Sequence, residues 1–220
     1  MMIKVLRFVC IMMAVTGFMP VCAQQISPAE NCVLTVSQLK PGDLLFVINN
    51  KGNAITDVTN GYHGKQIDHV AFVINNKGMI AEATTRKGVG LTDIRKFMDH
   101  GSRDSCRSEF LVGRVNIPYS WRKTLRNYRR YEHLPYDSLF MPDDKAMYCS
   151  ELVQKCYVDA KGKRIFNTIP MSFHNKKGEI TDFWKMFYSR KGLKVPEGEP
   201  GTNPGQLSRD EHVTIIGYLK

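Results

Sequence analysis

The chain has 220 residues, with 31 Lys and Arg against 21 Asp and Glu, 43% apolar residues and 24% charged. That apolar fraction and well-mixed charge exclude a disordered tail, and the absence of a Gly-X-Y period, heptad array or longer repeat excludes fibres and solenoids. The formal charge of +10 comes without a zinc-finger, RNP or basic-zipper pattern, so no nucleic-acid partner is expected.

Residues 1–23, MMIKVLRFVCIMMAVTGFMPVCA, open with Lys4 and Arg7, continue as an apolar stretch from Phe8 to Val21, and end on Ala23 after Cys22. This reads as a secretory signal peptide, because the apolar run is too short and wrongly flanked for a stable span. A lipoprotein signal using Cys22 is the rival, but Val21 is bulkier than the small residue such signals place before the Cys. Residues 24–220 then form a single exported domain, periplasmic or secreted. It stays basic among anionic polymers and lipid head groups. Cys32, Cys106, Cys149 and Cys156 remain in a compartment that permits disulfides. They are too sparse for a disulfide scaffold and lack the paired CxxC of a zinc site, so no metal is expected. Cys149 and Cys156 share one predicted helix, where their separation rises about 10.5 Å against the roughly 7 Å a disulfide spans, so they cannot pair. Cys32 with Cys106 is the one pairing worth considering.

Residues 24–40 read as an irregular lead-in with a helical turn at 37–39. Pro41-Gly42-Asp43 is turn chemistry, and LLFVI (44–48) is an apolar, branched run of strand length. A polar loop holding Tyr62, His63 and Gly64 leads to a second strand, DHVAFVI (68–74). The turn NNKG (75–78) then gives a third, the alternating MIAEAT (79–84). An extended piece at 88–91 precedes a helix over 92–98 begun by Thr92 or Asp93, and FLVGRVNI (110–117) is a strand stopped by Pro118. Ser120 caps a basic amphipathic helix over 120–134, with Trp121, Leu125, Tyr128 and Leu134 near one face. After a loop, 149–160 reads as a helix ended near Gly162 and 181–188 as a short helix. The Pro/Gly-rich 196–205 is a loop, and HVTIIGYL (212–219) is a closing strand. Meandering strands with helices set apart from them predict an α+β domain.

Without metal-ligand spacing, a hydrolase needs a side-chain nucleophile, and Cys149 is the candidate. It follows a loop and opens a predicted helix, a placement in which backbone N–H groups and the helix dipole favour a thiolate. A buried structural role is the alternative for any cysteine, and Cys156, in the interior of the same helix, suits that role. Cysteine catalysis also needs a base and a group to orient it. His69 stands at the start of an apolar strand. Glu82 lies in the next strand of the same hairpin, where antiparallel partners can set a carboxylate beside an imidazole. His63, His100, His133, His174 and His212 lack ligand spacing and read as surface or loop residues.

Two blocks carry a family resemblance. QLKPGDLLFVI…DHVAFVINNKGMIAEA resembles the PGDLVFF and HVGIYLGNGKMIHA segments of the NlpC-type cell-wall peptidases. HLPYDSLFMPDDKAMYCSELVQKCY resembles their PYxWGG and DCSGLVxxxY segments. In those enzymes the Cys block precedes the His block; here His69 comes first. The order is similar to that of the circularly permuted, YiiX/YebB-like papain-fold hydrolases, over roughly 38–160. The resemblance implies an antiparallel sheet or partial barrel packed on helices, with the nucleophile at a helix N-terminus. It implies Cys149 as nucleophile, His69 as base and Glu82 as the third polar residue. It also implies Tyr136, in the PY position, as a hydroxyl near the nucleophile that helps hold an oxyanion beside the Cys149 N–H.

The chain departs from the peptidase pattern at Tyr148-Cys149-Ser150-Glu151, where the family reads Asp-Cys-Ser-Gly. In the peptidases the Asp and Ser of that motif contact a free substrate amine. Ser150 keeps one of these substrate-binding positions, and Tyr148 loses the other. Two roles stand open for Glu151: replacing the missing charge, or favouring the positive end of the helix. The expectation is an exported cysteine amidase or peptidase acting on peptidoglycan-derived peptides or N-acyl amides, with no cofactor. A lipid-directed acyltransferase or thioesterase of the same fold, and an inert binding module, are the alternatives. Arg122, Lys123, Arg126, Arg129 and Arg130 form either a solvated face or a contact for an anionic envelope surface.

Overall fold

The computed structural model of the chain describes residues 32–102 and 109–220; the expected signal peptide, Cys22 and Cys106 lie outside the described residues. In chain order the elements are β1 (Val33–Leu34), β2 (Leu44–Ile48), β3 (Ile67–Val73), β4 (Met79–Thr84), β5 (Gly88–Asp93), α1 (Ile94–Ser102), β6 (Glu109–Val115), α2 (Trp121–Tyr131), α3 (Cys149–Cys156), β7 (Ile169–Pro170), α4 (Asp182–Ser189), β8 (Pro200–Gly201), α5 (Pro204–Leu207) and β9 (Val213–Leu219). Seven strands form one sheet in the order β1-β9-β6-β2-β3-β4-β5, antiparallel throughout except for the parallel β1–β9 pair. The architecture is α+β. Its edges, β1 and β5, do not pair, so the expected partial barrel is an open sheet among the described residues.

Both faces of the sheet are covered, which explains the continuous apolar run in β2. Leu44, Phe46 and Ile48 join the core beneath α2 and α3, while Leu45 faces the opposite core with Ile94 and Phe97 of α1. Phe72 pins the first core, its ring meeting Trp121, Tyr128 and Tyr157 edge-on at 6.5, 6.0 and 5.5 Å between centroids. A third cluster, built on Met171, Phe173, Trp184 and Tyr188, packs α4 against the loops at one end of the sheet.

Several boundaries differ from the sequence reading. β5 runs on to Asp93, so the helix begins at Ile94, where the Asp93 carboxylate accepts the Arg95 N–H. α3 stops at Cys156, four residues short of the expected end. Tyr157 is fully buried and its hydroxyl donates to the Gly42 carbonyl, which pulls the chain out of helical geometry. The following Val158–Arg164 bridge and the Asp159 turn then use the polar residues as a hairpin. The 196–205 loop contains β8 and α5, the latter capped by the Asn203 side chain.

Two features position the site. β3 carries a bulge against β2: Val47 pairs with His69 and Ile48 with Ile67, leaving Asp68 as the extra residue. β3 and β4 pair only at Phe72↔Ala81 and Val73↔Ile80, so the strands part beyond Phe72.

The PGD turn is tied to β6 by a bidentate pair. Arg114 Nε and Nη2 donate to the two Asp43 carboxylate oxygens at 2.7 Å each, and the Lys40 N–H adds a third hydrogen bond. Asp43 is 1% exposed. Arg114→Leu leaves that carboxylate buried with one partner, so chemical denaturation should show a loss of about 2–3 kcal/mol. This is below the roughly 3–5 kcal/mol of a wholly buried pair because Arg114 is partly solvated. A loss under about 0.5 kcal/mol, the surface-substitution range, would contradict the assignment.

Candidate active site

His69 and Glu82 stand at the mouth of the split between β3 and β4. Continuing the register would set His69 opposite Thr84, two residues from Glu82, so the side chains meet diagonally on one face. His69 Nε2 lies 2.8 Å from Glu82 Oε2, and Thr92 Oγ1 donates to Glu82 Oε1 at 2.5 Å. Phe97 backs the imidazole from the α1 side at 6.0 Å between ring centroids. Cys149, the first residue of α3, approaches from the other face, close enough for its thiol to act on the His69 ring. With Nε2 engaged by Glu82, Nδ1 is the nitrogen left for the sulfur. The ring therefore bridges thiol and carboxylate.

Burial lowers the imidazole's proton affinity, but the hydrogen bond and charge of Cys149, followed by those of Glu82, outweigh it and raise the His69 pKa to about 10. Burial likewise pushes Glu82 up, and His69, Thr92 and Lys87 together bring it below the ordinary carboxylate value. Each partner thus favours the charged form of the other.

Tyr136 reaches the same place by backbone ties rather than by a regular element. The Val89 N–H donates to the Leu134 carbonyl at 2.8 Å, and the His133 N–H donates to the Val89 carbonyl at 3.0 Å, so the segment after α2 lies along the edge of β5. Gly88 is required there: its φ is +70°, and a Cβ would come within 2.2 Å of the Leu134 carbonyl oxygen. Tyr136 and Met147 then form a parallel bridge, setting the phenol beside Cys149. Burial, then the charges of Cys149 and Asp137, drive the Tyr136 pKa upward, so its hydroxyl stays protonated.

The residues flanking Cys149 are turned elsewhere. Tyr148 accepts the Thr202 N–H at 3.0 Å, and Ser150, which is fully buried, accepts the Thr202 hydroxyl at 3.0 Å. Glu151 lies 2.7 Å from Lys155 one turn on, and Lys155 also meets Asp144 at 2.6 Å. Burial pushes the Glu151 carboxyl up to about 7, against the pull of Lys155. Cys156 is wholly buried, and burial drives its thiol well up.

Thr92, Asp68 and Thr202 were not among the residues predicted for the site. Thr92 pairs with Ile80 and lies diagonally from Glu82 on the same face, a relation visible only once β5 is seen to continue through Asp93. Asp68 accepts from the Asn49 and Asn53 side-chain amides at 2.8 and 2.6 Å. Thr202 comes from the far end of the chain, and no local signal announces it.

Two cavities meet at this point. One is a cleft of about 520 Å³ whose walls include His69, Glu82 and Phe97; the other, of about 60 Å³, is lined by Cys149 and a largely apolar surface that also takes in Asp68, Ser172 and Asn203. Asp68 and Tyr136 border both.

A strand histidine that precedes a helix-opening cysteine, on a largely antiparallel sheet with helices on both faces, defines the permuted papain-like class. The family described as permuted papain-like amidase enzyme, YaeF/YiiX, C92 family, matches residues 38–217, and the chain belongs to it. Its relatives include the uncharacterized protein YiiX of Escherichia coli (strain K12), 27% identical over 132 residues, which are 58% of this chain and 62% of that protein. The match thus spans less than two thirds of the relative's length. A crystal structure described as metalloprotein yiiX from Escherichia coli O157:H7 superposes with a TM-score of 0.63 at 27% identity, covering 81% of this chain and 97% of that one.

The ion pair has a pH signature. His69's raised value stabilises the fold fully below its ordinary 6.5 and loses that effect as pH rises through about 10. Glu82's lowered value stabilises fully above its ordinary 4.5 and loses that effect as pH falls through the folded-state value. The stability difference between wild type and Glu82→Gln should therefore be largest between about pH 4.5 and 6.5 and shrink on both sides. Urea titrations across pH would read it; a pH-independent difference rejects the pair.

Proposed function

We propose that the chain is a cysteine amidase acting outside the cytoplasm, with Cys149 as nucleophile, His69 as general base and acid, and Glu82 holding the ring. One observation carries this: the imidazole bridges a helix-opening thiol and a buried carboxylate. His69 takes the thiol proton and the sulfur attacks the carbonyl carbon. The tetrahedral oxygen then faces the Cys149 backbone N–H, which has no partner within the helix, and the Tyr136 hydroxyl. The imidazolium gives its proton to the amine as the C–N bond breaks. Water, deprotonated by the same ring, hydrolyses the thioester to release the acid and restore the thiol.

Cell-wall peptides and N-acyl amides are the substrates considered. With Tyr148 and Ser150 both held by Thr202, the free-amine recognition of the NlpC-type pattern has no counterpart here, which favours the N-acyl amides. The relative described as a metalloprotein raises a metal as a further component. Among the described residues no three His, Cys, Asp or Glu side chains converge as ligands, and Glu82 already holds His69 Nε2. The residues do not fit a bound metal, and no step is routed through one.

Cys149→Ala should abolish amide hydrolysis, and His69→Ala should lower kcat by about 10³–10⁴-fold. Site-resolved iodoacetamide labelling at neutral pH should fall at Cys149 in His69→Ala and change less in Glu82→Gln. Catalysis in Glu82→Gln should fall more than its labelling does. Cys156 should label slowly in every variant. Equal Cys149 labelling in wild type and His69→Ala rejects the dyad.

A further inference from the structure

The two cavities beside Cys149 differ in chemistry as well as size. The smaller is walled chiefly by Ile55, Val58, Phe140, Met171, Phe173 and Trp184, and its volume of about 60 Å³ admits only a short chain. Its shape is held rigidly. Asp137 accepts the Leu139 and Met141 N–H groups, Tyr188 donates to the Leu139 carbonyl, and Trp184 donates to the Ala54 carbonyl. Phe140 is locked between them at a φ of +54°, its ring edge-on to Tyr148 and Trp184. A non-glycine residue in that conformation persists only where the surroundings impose it.

The larger cleft is within the size range of small-molecule sites and carries Lys51, Arg86, Lys87 and Lys96 on its walls. Its two carboxylates are already committed, Glu82 to the His69 ring and Thr92, and Asp68 to the amides of Asn49 and Asn53. Glu82 is matched by His69 and Asp68 keeps one negative charge, so Arg86, Lys87 and Lys96 still leave the cleft wall net positive. A basic cleft concentrates anions, with an effect that weakens as salt rises.

Chemistry assigns the two sides. The acyl group stays on sulfur after C–N cleavage, and Cys149 lines the apolar pocket. The leaving amine must sit where the imidazolium can protonate it, and His69 lines the basic cleft. We infer that the substrate, on the cysteine-amidase reading above, is an amide of a short apolar acid whose amine half carries negative charge. The charge is a carboxylate or phosphate beyond the scissile nitrogen. The C–N bond breaks, water supplies hydroxyl to the acyl carbon and a proton to the nitrogen, and no further reactant is needed.

The test compares N-hexanoylglutamate, N-hexanoylphosphoethanolamine, neutral N-hexanoylglutamine amide and cationic N-hexanoyllysine amide, with amine release as the readout. Wild type should show kcat/KM at least about tenfold higher for an anionic than for the cationic substrate, and high salt should narrow the gap. The two anionic compounds distinguish carboxylate from phosphate. Arg86→Glu/Lys96→Glu should reverse the order and leave the neutral amide within about twofold, since neither side chain contacts His69, Glu82 or Cys149. N-Hexadecanoylglutamate should be turned over less well than the hexanoyl compound. Equal turnover across the charge series, or a charge-reversed variant with unchanged preference, overturns the inference. Calorimetric binding to Cys149→Ala separates it from the hydrolase reading. Selective binding of the anionic amides without wild-type turnover upholds the inference and rejects the amidase, and neither turnover nor selective binding overturns it.

Discussion

The parting of β3 and β4 governs the geometry of the candidate site. A fully paired hairpin would place His69 and Glu82 on one face of a closed sheet, with α3 and its cysteine on the other. Because the two strands pair at only two positions, the sheet opens where both residues sit. Sulfur can then approach from one face while imidazole and carboxylate remain on the other. The Asp68 bulge sets the phase: Ile67, Val70 and Phe72 join the core under α3, and His69 is left to point into the split. The two amides on Asp68 hold that irregular residue in place.

Around this opening the structure satisfies its polar groups densely, and that restrains the cysteine. Thr202 grips both neighbours of Cys149, so the first turn of α3 is tied to a segment more than fifty residues away. Lys155 is shared between Glu151 and Asp144, anchoring the same helix to the preceding loop. Such a buried ionic pair adds little net stability, because desolvation offsets most of the Coulomb attraction. Its structural effect is to fix the rotation of α3. The nucleophile proposed at Cys149 needs that, since its sulfur must meet one ring nitrogen and not the neighbouring backbone.

The same restraints separate the two cysteines of α3. Both are buried, and they share one helix, but only Cys149 has an imidazole and a phenol within reach. Cys156 lies near the Tyr128 and Tyr157 phenols, and burial suppresses its ionisation. Reactivity follows from the partners of a thiol more than from its exposure.

The sequence by itself determined the strands β2 and β4 to the residue, because these rest on local signals, an apolar run between turns and alternation, and through its family resemblance it put Cys149, His69 and Glu82 forward as candidates. It also carried the order of the His and Cys blocks, and hence the permutation. Tertiary structure alone decided where α3 stops, since the buried Tyr157 hydroxyl seeks a carbonyl 115 positions away in the chain. Tertiary structure also decided that Ser150 and Glu151 turn inward to Thr202 and Lys155. The division between an apolar pocket and a basic cleft was likewise invisible in one dimension. Its walls come from segments spread from Val47 to Pro204, and only folding brings charge and apolar surface together on either side of Asp68 and Tyr136.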